Sequence, residues 1–116
     1  MDIEYKEWTL DELTEKRRAV RDGGQEVYLK TYKQLLDAQN IYLAHAKLIG
    51  LHLGYIGGLF GRCHDAFTQN NTEAMKSAAA ECGALDKLED AAGIGEYPEL
   101  NAPATRIVQL SYILKG

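Results

Sequence analysis

The stretch YLKTYKQLLDAQNIYLAHAKLIGLHLGYIGGLFGRCHDAF, residues 28 to 67, decides the fold. Its apolar residues fall into columns spaced by seven: Tyr28, Leu35, Tyr42, Ile49, Ile56 and Cys63 in one, with Tyr32, Gln39, Ala46, Leu53, Phe60 and Phe67 beside it. At about 100° per residue these columns share one side of a helix. The opposite side starts polar with Lys30, Gln34 and Asp37, then turns apolar through Ile41, His45, Leu48, His52, Tyr55 and Leu59. A helix that is apolar all round has to be covered all round, so residues 41 to 60 belong at the centre of a bundle or at a contact between chains.

Length sharpens this reading. A straight helix over residues 26 to 66 would run about 60 Å, whereas a compact domain of this size has a radius of gyration of about 13 Å. Either the helix breaks or a second chain completes an elongated molecule. The adjacent pair Gly57-Gly58 is the expected position of a bend.

Toward the N-terminus, Thr9 and Glu12 form a T-x-x-E capping box, with Trp8 and Leu13 at the staple positions, so a helix is predicted from Thr9 or Leu10. It carries acids early (Asp11, Glu12, Glu15) and bases late (Lys16, Arg17, Arg18, Arg21), and Gly23-Gly24 ends it. Residues 1 to 8 read as an extension. Toward the C-terminus, Asp65 to Asn71 is polar and reads as a loop, and Asn70 with Glu73 suggests a second helix start. That helix is expected to reach Ala92, before Gly93. Residues 93 to 103 read as a connector holding both prolines, and residues 104 to 115 fit a helix or a strand, with helix preferred. The expected fold is all-α: a single domain over residues 1 to 116, a small bundle of about four helices with a long, kinked central helix.

The 116 residues are 46% hydrophobic and 26% charged, which excludes disordered and collagen-like classes. A net charge of −4 argues against nucleic acid as a partner and is too small for a mimic of it. No basic and apolar leader opens the chain, and Leu48 to Gly61 is too short for a membrane span, so no membrane partner is expected. Cys63 and Cys82 have neither zinc nor CxxC spacing, which fits a reducing, cytoplasmic setting.

The most specific feature is a glycine line. Gly50, Gly54, Gly57 and Gly61 project within about 60° of one another on the helix, giving overlapping small-xxx-small steps. Each costs about 1 kcal/mol of helix propensity relative to alanine, so close packing must offset it. The leading expectation is packing against another helix of the chain, with the alanine-rich stripe around Ala74, Ala78 and Cys82 as its match. A subunit contact and a ligand groove are the alternatives.

His45 and His52 stand seven apart, about 10.5 Å along a helix, too far to chelate one metal together; with His64 they read as structural or interface residues. Cys63 and His64 are adjacent and point about 100° apart, so they do not face each other as a nucleophile and base. Lys16, Arg17, Arg18 and Arg21 are the only basic cluster and read as a solvated face; so do the acids Glu81, Asp86, Glu89 and Asp90. No cofactor, metal site or catalytic constellation is expected.

The reading is therefore a non-enzymatic helical interaction or regulatory protein. It is expected to self-associate through Leu48, His52, Tyr55 and Leu59 and to bind a protein partner. The alternative is a bundle that holds a small ligand between helices or subunits, lined by Gly50 to Gly61 with Tyr42, His45, His52 and Tyr55.

Overall fold

The computed structural model describes residues 7–84 and 98–115, which form α1 (Leu10–Leu48), α2 (Gly54–Thr68), α3 (Thr72–Glu81), a short 3-10 turn (Cys82–Ala84) and α4 (Pro98–Leu114). There is no strand among them, and the all-α bundle is as expected. The helix expected to reach Ala92 ends at Glu81 and passes into the 3-10 turn; residues 85 to 92, the stop at Gly93, the extension over residues 1 to 6, and Asp86, Glu89 and Asp90 lie outside the described residues.

Helix α1 starts where the capping box places it. The Glu12 N–H donates to Thr9 Oγ1 at 3.2 Å, and Thr9 N–H donates back to Glu12 Oε1 at 3.4 Å. Trp8 is fastened from a distance that the sequence does not announce. Its ring lies under the Arg106 guanidinium (3.6 Å) and the Lys16 ammonium (4.5 Å), and its backbone exchanges hydrogen bonds with the Gln109 amide.

The Gly23-Gly24 stop is real but local. Gly24 takes φ 75° and ψ −166°, a region essentially reserved for glycine, and the helix resumes beyond it. The larger correction concerns the second bend, which lies at Gly50 rather than at Gly57-Gly58. Gly50 has φ 71°, its N–H donates to Lys47 O (3.1 Å) and Leu51 N–H donates to Ala46 O (2.9 Å). Those two bonds and the left-handed residue make a Schellman stop. Gly57 and Gly58 lie inside α2 and are regular helix. A glycine pair permits a bend; the left-handed cap imposes one.

The next boundary is also displaced. Helix α2 continues through Thr68, so only residues 69 to 71 connect it to α3. Asn70 (φ 53°) closes α2 with Asn70 N–H on Phe67 O and Asn71 N–H on Ala66 O, both 3.0 Å. Asn71, not Asn70, then caps α3, its Oδ1 accepting from Ala74 N–H at 3.1 Å. The two asparagines divide the work. At the far end, α4 begins at Pro98 and includes Pro103, so residues 98 to 103 are helix and not connector; residues 104 to 114 are helix as preferred.

The seven-spaced columns point inward as read: Tyr28, Leu35, Tyr42, Tyr32, Gln39 and Ala46 are all buried. Helix α1 packs chiefly along α4, α2 lies against α3, and α4 also meets α3 and the 3-10 turn. Tyr28, Tyr32 and Phe67 form a run of stacked rings, and Tyr42 meets Phe60 edge-on. Three buried hydroxyls tie helices together. Tyr32 donates to Cys63 O (2.6 Å), Tyr28 to Leu114 O (3.4 Å) and Ser111 to Ala79 O (2.5 Å). With its breaks at Gly24 and Gly50 the chain reaches a radius of gyration of 13.7 Å. No helix among the described residues is long and apolar enough to cross a membrane.

Candidate functional site

Helix α2 buries Ile56, Leu59, Phe60, Cys63 and Ala66 on one side. By the 3.6-residue period, Gly54, Gly58, Gly61 and Asp65 lie opposite, with Tyr55 and Arg62 on the flank that meets Glu81 of α3, and all six are exposed. A Cβ placed on Gly57, Gly58 or Gly61 would meet nothing within 4 Å, and one on Gly54 only the His52 ring, at 3.8 Å. The expected packing of Gly50, Gly54, Gly57 and Gly61 against another helix of this chain is therefore not found among the described residues. Gly50 serves the turn through its backbone, and the other three line a smooth surface.

The four residues expected at a contact separate. Leu48 is 83% exposed and Tyr55 56% exposed, among the few large apolar side chains on the surface. His52 is exposed as well. Leu59, at 0% exposure, is core and cannot touch another chain. The helical drift explains the split: the chain breaks between Leu48 and Gly54, so α2 starts with a new rotation and Leu59 turns inward.

Tyr55 does not wave freely. Its hydroxyl donates to Glu81 Oε2 at 3.0 Å, and the Arg62 guanidinium grips both oxygens of that carboxylate at 3.3 and 2.9 Å. Arg62 also lies 6.0 Å from the Tyr55 ring centre. Those hydrogen bonds from Arg62 and Tyr55 hold the Glu81 carboxyl below its usual range. An exposed ion pair of this kind adds little to stability because solvent screens it; its effect is to fix the Tyr55 ring beside the glycine line. The sequence could not show this grouping, because Glu81 stands on another helix.

The cysteines, uninformative by spacing, meet in the core. Their sulfurs are 3.8 Å apart, both are fully buried, and the Gln39 amide donates to Cys82 Sγ at 3.6 Å. The hydrogen bond from Cys82 draws the Cys63 thiol down to about 7 despite its burial, while the same bond and burial push Cys82 well up. With both thiols enclosed, the arrangement is a packed polar contact in which no outside reagent reaches sulfur without the core opening. His64 is exposed and lies 4.0 Å from Asp65, facing neither thiol as a base. Among the described residues no cluster of three or more His, Cys, Asp or Glu could hold a metal ion.

The ligand groove expected between Gly50–Gly61 and Tyr42, His45, His52 and Tyr55 does not form as drawn, since Tyr42 is sealed in the core. The basic cluster also divides. Lys16 goes to Trp8 and Arg18 to Glu15 (3.2 Å), while Arg17 and Arg21 line a cavity beside Gly24. Compared with protein-family models, with curated proteins and with solved structures, the chain matches none.

Proposed function

We propose that the protein is a non-enzymatic helical interaction module that self-associates through the exposed face of α2, and that the assembled form binds and regulates a protein partner. One observation carries the reading: α2 exposes Gly54, Gly58 and Gly61 beside a Tyr55 ring held by Arg62 and Glu81. Helical glycines cost about 1 kcal/mol each relative to alanine, and no group among the described residues uses the room that Gly58 and Gly61 leave. A second helix backbone would. The face can meet a copy of itself, because a two-fold contact sets the same patch against itself and Arg62 and Glu81 already satisfy each other within the chain beside it. Tyrosine and arginine are also the residue types that dominate interface energetics.

Sedimentation velocity tests this. Wild type should gain mass between low and high micromolar concentration, and Tyr55→Asp, placed on an exposed side chain, should stay monomeric with an unchanged circular dichroism spectrum. A wild type that is monomeric throughout, or a Tyr55→Asp variant with the full oligomer mass, overturns the reading. Leu59→Asp is unsuited to the purpose, since it would bury a charge in the core and unfold the chain.

A further inference from the structure

Where the Gly24 break separates the two segments of α1, a cavity of about 340 Å³ opens between α1, α3 and α4. That volume is at the low end of the ~300–1,000 Å³ typical of small-molecule sites. Val20, Tyr28 and Ile113 supply apolar surface, and Arg17, Arg21 and Lys76 bring three positive charges. No aspartate or glutamate is among its described lining, although the chain as a whole carries −4. Its charge is thus opposite in sign to that of the molecule.

The cations are differently prepared. Arg17 is stacked with its guanidinium 4.8 Å from the Tyr112 ring centre, which limits its motion and leaves its N–H edge available. Arg21 Nε lies 3.7 Å from Asp22 Oδ1, an ion pair that leaves the rest of its fork unoccupied by that carboxylate. Lys76 stands one turn into α3, whose first residue, Thr72, also lines the cavity and accepts a hydrogen bond from Gln25 Nε2 at 3.3 Å. That bond ties the positive end of the α3 dipole to the segment just past the break.

We propose that this cavity binds a phosphate monoester carrying an apolar body. Two guanidinium forks and an ammonium match the several oxygens and double charge of a phosphate monoester better than a carboxylate monoanion. The organic part would lie against Val20, Tyr28 and Ile113. Among the described residues the lining holds no carboxylate, histidine or cysteine, and the proposal is one of binding. It shares no residue with the α2 face, and its success or failure is independent of self-association.

Titration calorimetry with phenyl phosphate, together with amide chemical shifts of the labelled full chain, tests the proposal. Phenyl phosphate should bind saturably and at least about tenfold more tightly than inorganic phosphate or benzoate, with shifts centred on Gly24, Tyr28, Thr72 and Leu114. Arg21→Gln combined with Lys76→Gln removes two charge-assisted contacts, each worth about ten- to a hundredfold in Kd. Both side chains are exposed, so the variant should melt near wild type, and Lys76→Gln alone provides a milder second variant. Inorganic phosphate binding as tightly as phenyl phosphate would remove the apolar floor from the site, and equal binding of benzoate would remove the dianion. Shifts located elsewhere, or unchanged affinity in folded variants, would overturn the site itself.

Discussion

Replacing Gly58 and Gly61 together with alanine should change stability and association in opposite directions. Both are exposed residues inside α2, neither has a positive φ, and an added Cβ meets nothing within 4 Å. In the isolated chain each substitution therefore recovers about 0.8–1.0 kcal/mol of helix propensity with no steric charge against it. The two positions are i,i+3 neighbours with Cβ atoms about 5–6 Å apart, far enough that the methyls do not clash, so the propensity gains sum to about 1.5–2 kcal/mol for the pair. In a domain of this length that raises Tm by roughly 6–10 °C. In a self-associated form the same methyls would fall where two backbones approach, and overpacking costs typically 1–3 kcal/mol per site. Urea unfolding followed by circular dichroism at low micromolar concentration measures the first effect, and sedimentation equilibrium at high concentration measures the second. A variant less stable than wild type when dilute would mean that some part of the chain already covers this face. A more stable variant that associates as strongly as wild type would mean that no backbone approaches it.

Two further outcomes follow from the backbone and the buried phenols. Gly24→Ala should destabilise by about 1–3 kcal/mol, because its φ of 75° and ψ of −166° strain any L side chain although a Cβ there would touch nothing; a calorimetric melt unchanged from wild type would contradict this. Stability should fall as pH rises above 10: burial pushes Tyr28 up to about 12 from 10.0 and raises Tyr32 as well, so the folded state keeps protons that the unfolded chain releases. Their contribution is intact below pH 10 and is lost through Tyr28 between 10 and about 12; Cys82, pushed up by its hydrogen bond with Cys63 and by burial, acts in the same sense above 9.0, and Cys63, drawn down to about 7, in the opposite sense between 7 and 9.0. Thermal melts from pH 9.5 to 11.5 check the direction, and Tyr28→Phe should flatten the curve; a Tm that rises with pH in that range would refute it.

What the sequence determined by itself is what depends on near neighbours. The Thr9–Glu12 cap, the inward columns through Tyr28, Tyr32, Leu35 and Tyr42, and the helical class were legible because each is written in spacings of three, four and seven. Chain breaks were half legible: glycines marked where bending was allowed, but only backbone hydrogen bonding selected Gly50 over Gly57-Gly58. The same ambiguity moved the α3 cap from Asn70 to Asn71, since two adjacent asparagines can each end one helix or start another. Tertiary structure alone decided the rest. Once the break reset the rotation of α2, Leu59 turned to the core and the glycine line to the surface, and packing of separate helices brought Tyr55 to Glu81, Cys63 to Cys82, and Arg17 and Arg21 to the same cavity as Lys76. Periodicity records which residues share a side of one helix; which helix that side meets depends on where the chain turns and what it then packs against.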